Sequence, residues 1–489
     1  MRVRWRPAVA AAVVVGAVVS CSSSAPAPAP VLGAELADKV TVDGVYRHLV
    51  ELQKIADAND GNRADGTPGH QASVDYLARL LRDRGFDVQT PEFRRLSGSR
   101  GGKPALTVSG RDHRVEQASL LTTTPPGGLR ARTLRPGRPA GCTVADYGSV
   151  SVKGAIAVVD DSGCSIVAKQ NVALAEGAVG MLVVSRASPT KPVGAPPSLF
   201  SPGYYNNLTV PVGIVDPAAD AALRRTDAPV TLLLDNEPVM TTSRNVIAQT
   251  KSGDPGNVIL AGAHLDSVRS GPGINDNGSG VAAVLETALQ LGPEPTAGNA
   301  VRFAFWGSEE ISADGSTSYV RSLTEEQVDG IALYLNFDMI ASPNAGYFTD
   351  DGDQSAQTSP VAAGVPDGSA GIERTLAGRL NLAGVRPADL PLGRNTDYAP
   401  FLAAGIPVGG VTTGSSQLKT EVQSRLWGGR AGAAFDPNYH TSRDTIDNVD
   451  RDALGIMAAT AAFAVGTYAQ STDGVNGVPP PGQRARRVP

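Results

Sequence analysis

The chain has 489 residues, of which 41% are hydrophobic, and a formal net charge of −5. That apolar content suits a globular protein of two or three domains and excludes general disorder. The mild charge, without a long basic run, excludes the electrostatic footprint of a nucleic-acid binder.

The N-terminus reads MRVRWRPAVAAAVVVGAVVSCSSSAPAPAP. Arg2, Arg4 and Arg6 precede an apolar run from Pro7 to Val19, and Ser20-Cys21 follows. That order is a secretory signal over 1–20, its apolar run too short for a permanent membrane span. VVSC resembles a bacterial lipobox, which implies a lipidated mature N-terminus at Cys21. The mature protein is then exported and anchored on the extracytoplasmic face of the cell membrane. The alternative is ordinary signal cleavage beside an incidental cysteine. Residues 21–37 follow as a flexible tether, with an extended Ser/Ala/Pro stretch.

Residues 38–111 begin with a helical pattern. In ASVDYLARLLRDRG, Val74, Leu77, Leu80 and Leu81 share one face, and Gly85 is a stop signal. FDVQTPEF reads as a strand and its sequel RRLSGSRGGK as a connection. Between 112 and 240 the texture changes to short apolar runs (GAIAVVDD, VGMLVVS, VPVGIVD) between Gly/Pro turns, with one helical segment, IVAKQNVALAEGA. This is a small β-rich insertion, because the helix–strand alternation before it resumes after it. Cys142 and Cys164 lie within it. An exported chain meets disulfide-permissive surroundings, so a Cys142–Cys164 bridge is expected over two free buried thiols. The order of segments resembles the protease-associated (PA) domain, and the cysteine pair fits that resemblance.

From 241 to 470 the pattern is α/β. The strands are NVIAQT, NVILAGAH, AVRFAFW, IALYLNFD and IPVGGVTT. The helices are SGVAAVLETALQL, STSYVRSL, GIERTLAGRLNLAG and RDALGIMAATAAFAVGTYAQ. Near-continuous apolar strands alternating with helices imply a mixed, mainly parallel central sheet flanked by helices. The tail, 471–489, is expected to be disordered.

In such a sheet, reactive groups gather where strands end. VILAGAHLD ends in His264 and Asp266, and the glycine-rich loop after it holds Asp276. VRFAFWGSEE ends in Glu309 and Glu310, and IALYLNFDM in Asp338. DPNYHTSRDT supplies His440, one of only five histidines in the chain. Each residue has an ordinary reading as well: a turn aspartate, an acidic helix start, a loop histidine. As an ordered set they are zinc-ligand chemistry, with a carboxylate available to bridge two ions.

The series GAHLDS…GINDNGSG…FAFWGSEE…LNFDM…YHT resembles the secreted bacterial co-catalytic di-zinc aminopeptidases, the leucyl-type metallo-exopeptidases. The likeness covers the helix near residue 75 and nearly all of 243–470. It implies a zinc-exopeptidase fold and two zinc ions. His264 would bind one ion, His440 the other, and Asp276 both. Glu310 and Asp338 would each complete one shell, and Glu309 would be the general base. Asp266, at i+2 from His264, would hydrogen-bond its imidazole. Tyr439 would donate to the tetrahedral oxyanion, or simply pack beside the site. The resemblance also implies a cis Asp276–Asn277 peptide and peptide substrates with a free N-terminus. LGRNTDYAPFLAAGIPVGGVTTG matches the segment that lines the first side-chain pocket. Arg394 stands three residues before Asp397, where some relatives space the pair by two, so its role is open; calcium is left open as well. Other readings are a carboxypeptidase or deacylase on the same scaffold, or a non-catalytic peptide-binding surface lipoprotein. Glutaminyl cyclases usually bind one zinc, and the five-ligand set argues against them.

Overall fold

The computed structural model describes residues 31–185, 207–356, 364–393 and 396–486. The expected signal (1–20), Cys21 and Arg394 lie outside them. Residues 31–37, expected within the tether, instead belong to helix α1 (Val31–Lys39). Leu36 and Ala37 are buried, and α1 packs on the last long helix of the chain, so apolar contact overrides the reading of this stretch as a linker. Helix α2 (Val42–Asp57) starts where the Thr41 hydroxyl accepts the Gly44 amide. Helix α3 (Pro68–Arg84) carries the expected apolar face, with Val74, Leu77 and Leu81 buried, and ends at Gly85 with φ +102°.

Among the described residues the main sheet has eight strands: β1 (Asp87–Gln89), β2 (Val246–Gln249), β3 (Asp254–His264), β4 (Asn299–Trp306), β5 (Ile331–Phe337), β6 (Phe348–Asp350), β7 (Ala388–Leu390) and β8 (Val408–Thr412). Their order is β1-β2-β4-β3-β5-β8-β6-β7. The centre, β4-β3-β5-β8, is parallel and both ends include antiparallel pairs. Strand β3 from Asn257 onward, and nearly all of β4 and β5, are buried, which is why they read as unbroken apolar runs. Helices α4 (Gly280–Leu291), α5 (Ser369–Leu382) and α6 (Arg451–Gln470) join α1–α3 in closing the larger of two apolar clusters on this sheet, the other built around Leu260, Trp306, Tyr334 and Phe401.

A second eight-stranded sheet is built from residues between Ala105 and Leu233, with its own apolar clusters. Its parallel part contains Ile156–Asp160, Gly180–Val184 and Val212–Val215, and Cys142 is bonded to Cys164. This is the inserted β-rich unit.

Two further expectations fail. RRLSGSRGGK is not a plain connection, because Glu92–Arg100 pairs antiparallel with Glu237–Arg244 as a two-stranded ribbon at the junction. The tail is ordered in place through residue 486: Val478 is buried, and the Arg484 guanidinium donates to the Asn257 side chain and the Asp329 carbonyl. In both cases a partner remote in sequence supplies the pairing.

Candidate metal centre

Because β3, β4 and β5 run parallel, their C-terminal ends open on one edge of the sheet. His264 is the last residue of β3, Glu309 and Glu310 follow β4, and Asp338 follows β5. Three turns at this edge contain non-glycine residues with positive φ: Ser308 at +64°, Met339 at +50° and His440 at +59°. Such conformations cost of order 1–3 kcal/mol each and cluster where function demands them. Here His440 is an expected ligand, Met339 follows one, and Ser308 precedes the expected base.

The loop from Leu265 to Ser279 brings Asp276 back over His264. Gly273 has φ +62°, and a Cβ there would meet the Asp276 carbonyl at 2.3 Å, so only glycine fits. The Asp276–Asn277 peptide is cis. Asn277 then ties this loop to the next ligand: its amide donates to the Phe337 carbonyl at 2.9 Å and accepts the Met339 amide at 3.2 Å.

The result is two donor triads sharing one carboxylate. Asp276 Oδ1 lies 3.3 Å from His264 Nε2, and Asp338 Oδ1 lies 3.4 Å from the same nitrogen. Asp276 Oδ2 lies 3.2 Å from His440 Nε2, which is 2.9 Å from Glu310 Oε2. A tetrahedral ion with bonds of about 2.0–2.1 Å has ligand–ligand edges of about 3.3–3.4 Å. His264 Nε2, Glu310 Oε1 and Asp338 Oδ1 are buried with no hydrogen-bond partner among the described residues, which is costly without a cation to satisfy them. The donor set therefore fits two metal ions.

The electrostatics agree. Burial opposes charge on His264, but the Asp338 and Glu309 carboxylates and the contact with Asp276 raise its pKa well above the ordinary imidazole value. His440 is likewise raised to about 10, contact with Asp276 and Glu310 outweighing burial. Burial pushes Glu310 up to about 8, the Asp276 charge adding to it. Burial also drives Glu309 well above its usual range, with Asp397, Asp338 and Glu310 reinforcing it. Carboxylates outnumber imidazoles here, so the cluster favours positive charge.

Asp266 departs from its expected role. The strand ends at His264, and the imidazole Nδ1 faces the Asp266 backbone carbonyl at 3.1 Å, while the carboxylate is 3.8 Å away. That carboxylate accepts the Glu309 and Glu310 backbone amides at 3.0 and 3.3 Å. Tyr439 stacks on the His440 ring, centroids 3.8 Å apart, and lines the cavity over the site.

Two positioning residues went unread in the sequence. Asp444 accepts the Asn275 and Asp276 amides at 2.7 and 2.9 Å. Arg63, fully buried, donates to the carbonyls of Leu265, Pro272 and Gly273 at 2.5–2.9 Å. It thereby clamps both ends of the loop between two ligands. Its own charge is compensated by the surrounding acids, among them Asp444 and Asp266, although burial lowers its pKa to about 10. No sequence pattern singles out either residue, because both act on backbone groups far along the chain.

A cavity of about 510 Å³ opens onto this centre, lined by His264, Asp276, Glu309, Glu310 and Asp338 at one end. The fold and the donor set define a metallopeptidase of α/β type with an inserted β-rich domain. The chain belongs to peptidase family M28. The model of that family matches residues 245–465, and the PA domain model matches 130–223. The chain is 47% identical to the "Probable lipoprotein aminopeptidase LpqL" of Mycobacterium tuberculosis over 93% of its length and 90% of the relative's. It is 37% identical to an aminopeptidase of Pseudomonas aeruginosa over 88% and 81% of the two chains. In fold it resembles the aminopeptidase from Aneurinibacillus sp. strain AM-1, with a TM-score of 0.57 at 22% identity, covering 92% and 98% of the chains. BSAP, a zinc aminopeptidase from Bacillus subtilis, aligns with a TM-score of 0.50 at 22% identity over 86% and 94%.

Proposed function

We propose that the chain is an exported aminopeptidase that binds two zinc ions and removes N-terminal residues from peptides. The observation that carries this reading is Asp276, whose two oxygens face two different histidines, each in its own triad. In this reading His264 and Asp338 hold one ion, His440 and Glu310 the other, and Asp276 both. When bound, the zinc pair supplies a nucleophilic water at neutral pH and polarises the scissile carbonyl.

The chain's residues do the rest. Glu309 faces the same space, its Oε2 4.0 Å from His264 Nε2, where it would accept the attacking water's proton. It then returns that proton to the leaving amine. Asp266 fixes the turn that presents Glu309, and Tyr439 offers its hydroxyl to the developing oxyanion. The peptidase domain lies on both sides of a PA-like insertion, expected at 112–240, whose sheet runs from Ala105 to Leu233. Cys21, lipidated after removal of residues 1–20, anchors the enzyme to the membrane, a reading the name of the mycobacterial relative supports.

The test is hydrolysis of Leu- and Lys-p-nitroanilide by the signal-free protein, with metal analysis, chelator and an N-acetylated control. Hydrolysis of free-amine substrates that chelator abolishes and zinc restores is expected, with two zinc ions per chain. Cleavage of the blocked substrate alone would exclude an aminopeptidase, and absence of any chelator-sensitive hydrolysis would favour a binding protein.

A further inference from the structure

In the wall of the same cavity stands a carboxylate that the mechanism does not use. Strand β6 alternates, so Phe348 and Asp350 project to one face and Thr349 to the other. Phe348 and Asp350 both line the cavity. Asp350 is only 7% exposed. Its carboxylate has no hydrogen bond or ion pair among the described residues, and it faces neighbouring acids, not bases. Burial, with Asp338 and Glu373 adding, pushes it up to about 7.

Three features define what the cavity accepts. Its walls include Phe348, Leu390, Val411, Leu418 and Phe435, an apolar sleeve. No lysine or arginine is among its described lining residues. Of its described carboxylates, Asp276, Glu310 and Asp338 would hold the metals and Glu309 would take the water's proton, which leaves Asp350 unassigned. A long side chain with an apolar stem and a cationic tip matches that layout, its methylenes against the sleeve and its charge at the carboxylate.

We infer that Asp350 is a specificity-determining residue that selects peptides whose first residue is lysine or arginine. This rests on the aminopeptidase reading, and it names the substrate class of that same site. A buried carboxylate left unpaired beside a neutral side chain is unfavourable, so the discrimination comes as much from rejecting an uncharged analogue as from attracting the cation. The sleeve still admits leucine or norleucine at lower efficiency.

Lysine and norleucine p-nitroanilides differ in the terminal ammonium but share the stem, and both carry the α-ammonium. For the zinc-loaded wild type, kcat/KM for lysine should exceed that for norleucine by about tenfold or more. In Asp350→Asn and Asp350→Leu that preference should fall at least tenfold, the lysine value dropping and the norleucine value rising, with zinc content within about twofold of wild type, and Asp350→Glu should restore part of it. Loss of both substrates in equal measure would overturn the proposal, pointing to α-ammonium binding or to packing. So would a wild type indifferent to the terminal charge. Calorimetric binding of lysinamide against norleucinamide supplies a readout independent of hydrolysis. Lysine-selective binding that Asp350→Asn abolishes upholds the subsite even where no anilide is cleaved, whereas non-selective binding rejects it.

Discussion

Asp266 accepts the backbone amide of Glu309 at 3.0 Å. The same carboxylate takes the Glu310 amide, so one buried acid holds the turn that offers both the proposed base and a proposed ligand. Asp266→Ala leaves two amides of that turn unsatisfied, each costing about 1–3 kcal/mol where buried. We expect kcat to fall roughly 10–100-fold, as for other groups that orient a metal site from behind. Steady-state kinetics alongside a thermal melt separates the two effects. A loss in melting temperature with kcat intact would mean that the turn does not depend on Asp266.

Arg63 spans three carbonyls with one planar fork, a geometry lysine cannot reproduce. Both Arg63→Lys and Arg63→Gln should loosen the loop between His264 and Asp276 and weaken metal retention by about 10–100-fold. Zinc remaining after dialysis against graded chelator reads this directly. Retention equal to wild type in both variants would show that the loop holds its shape without the clamp.

Glu309→Gln removes a proton acceptor but none of the five donors proposed for the metals. Zinc content should be unchanged while kcat drops by about 10²–10⁴-fold, the range for a general base. Loss of zinc in this variant would instead make Glu309 a ligand.

Glu286, on α4, meets His48 of α2 at 3.0 Å in the core behind the site, and Gln290 also donates to it. Burial alone would raise its pKa, but these partners hold it below the ordinary carboxylate value. A carboxylate with a depressed folded pKa stabilises above its unfolded value, about 4.3, and that stability is lost as pH falls through the folded value. Glu286→Gln should therefore be less stable than wild type at pH 7, the gap narrowing below about pH 4. Urea midpoints across that range are the measurement, and a gap independent of pH would assign the effect to packing.

The sequence by itself determined a large part of this protein. NVILAGAH, AVRFAFW and IALYLNFD are legible as central strands because a strand buried on both faces must be apolar throughout. His264, Asp276, Glu309, Glu310, Asp338 and His440 are legible because metal chemistry draws on few residue types and parallel strands expose them at one end. Tertiary structure decided what holds them. Arg63 acts on carbonyls some 200 residues away, and Asp266 and Asp444 act on backbone amides, partners that every residue possesses and that leave no pattern in the chain. The ribbon of Glu92–Arg100 and the anchored tail likewise depend on remote partners. Asp350 is an unremarkable acid in YFTDDGD until β6 is laid beside β8 and turns it into the cavity. Side-chain chemistry is written residue by residue, whereas orientation and burial are set by contacts across the whole fold.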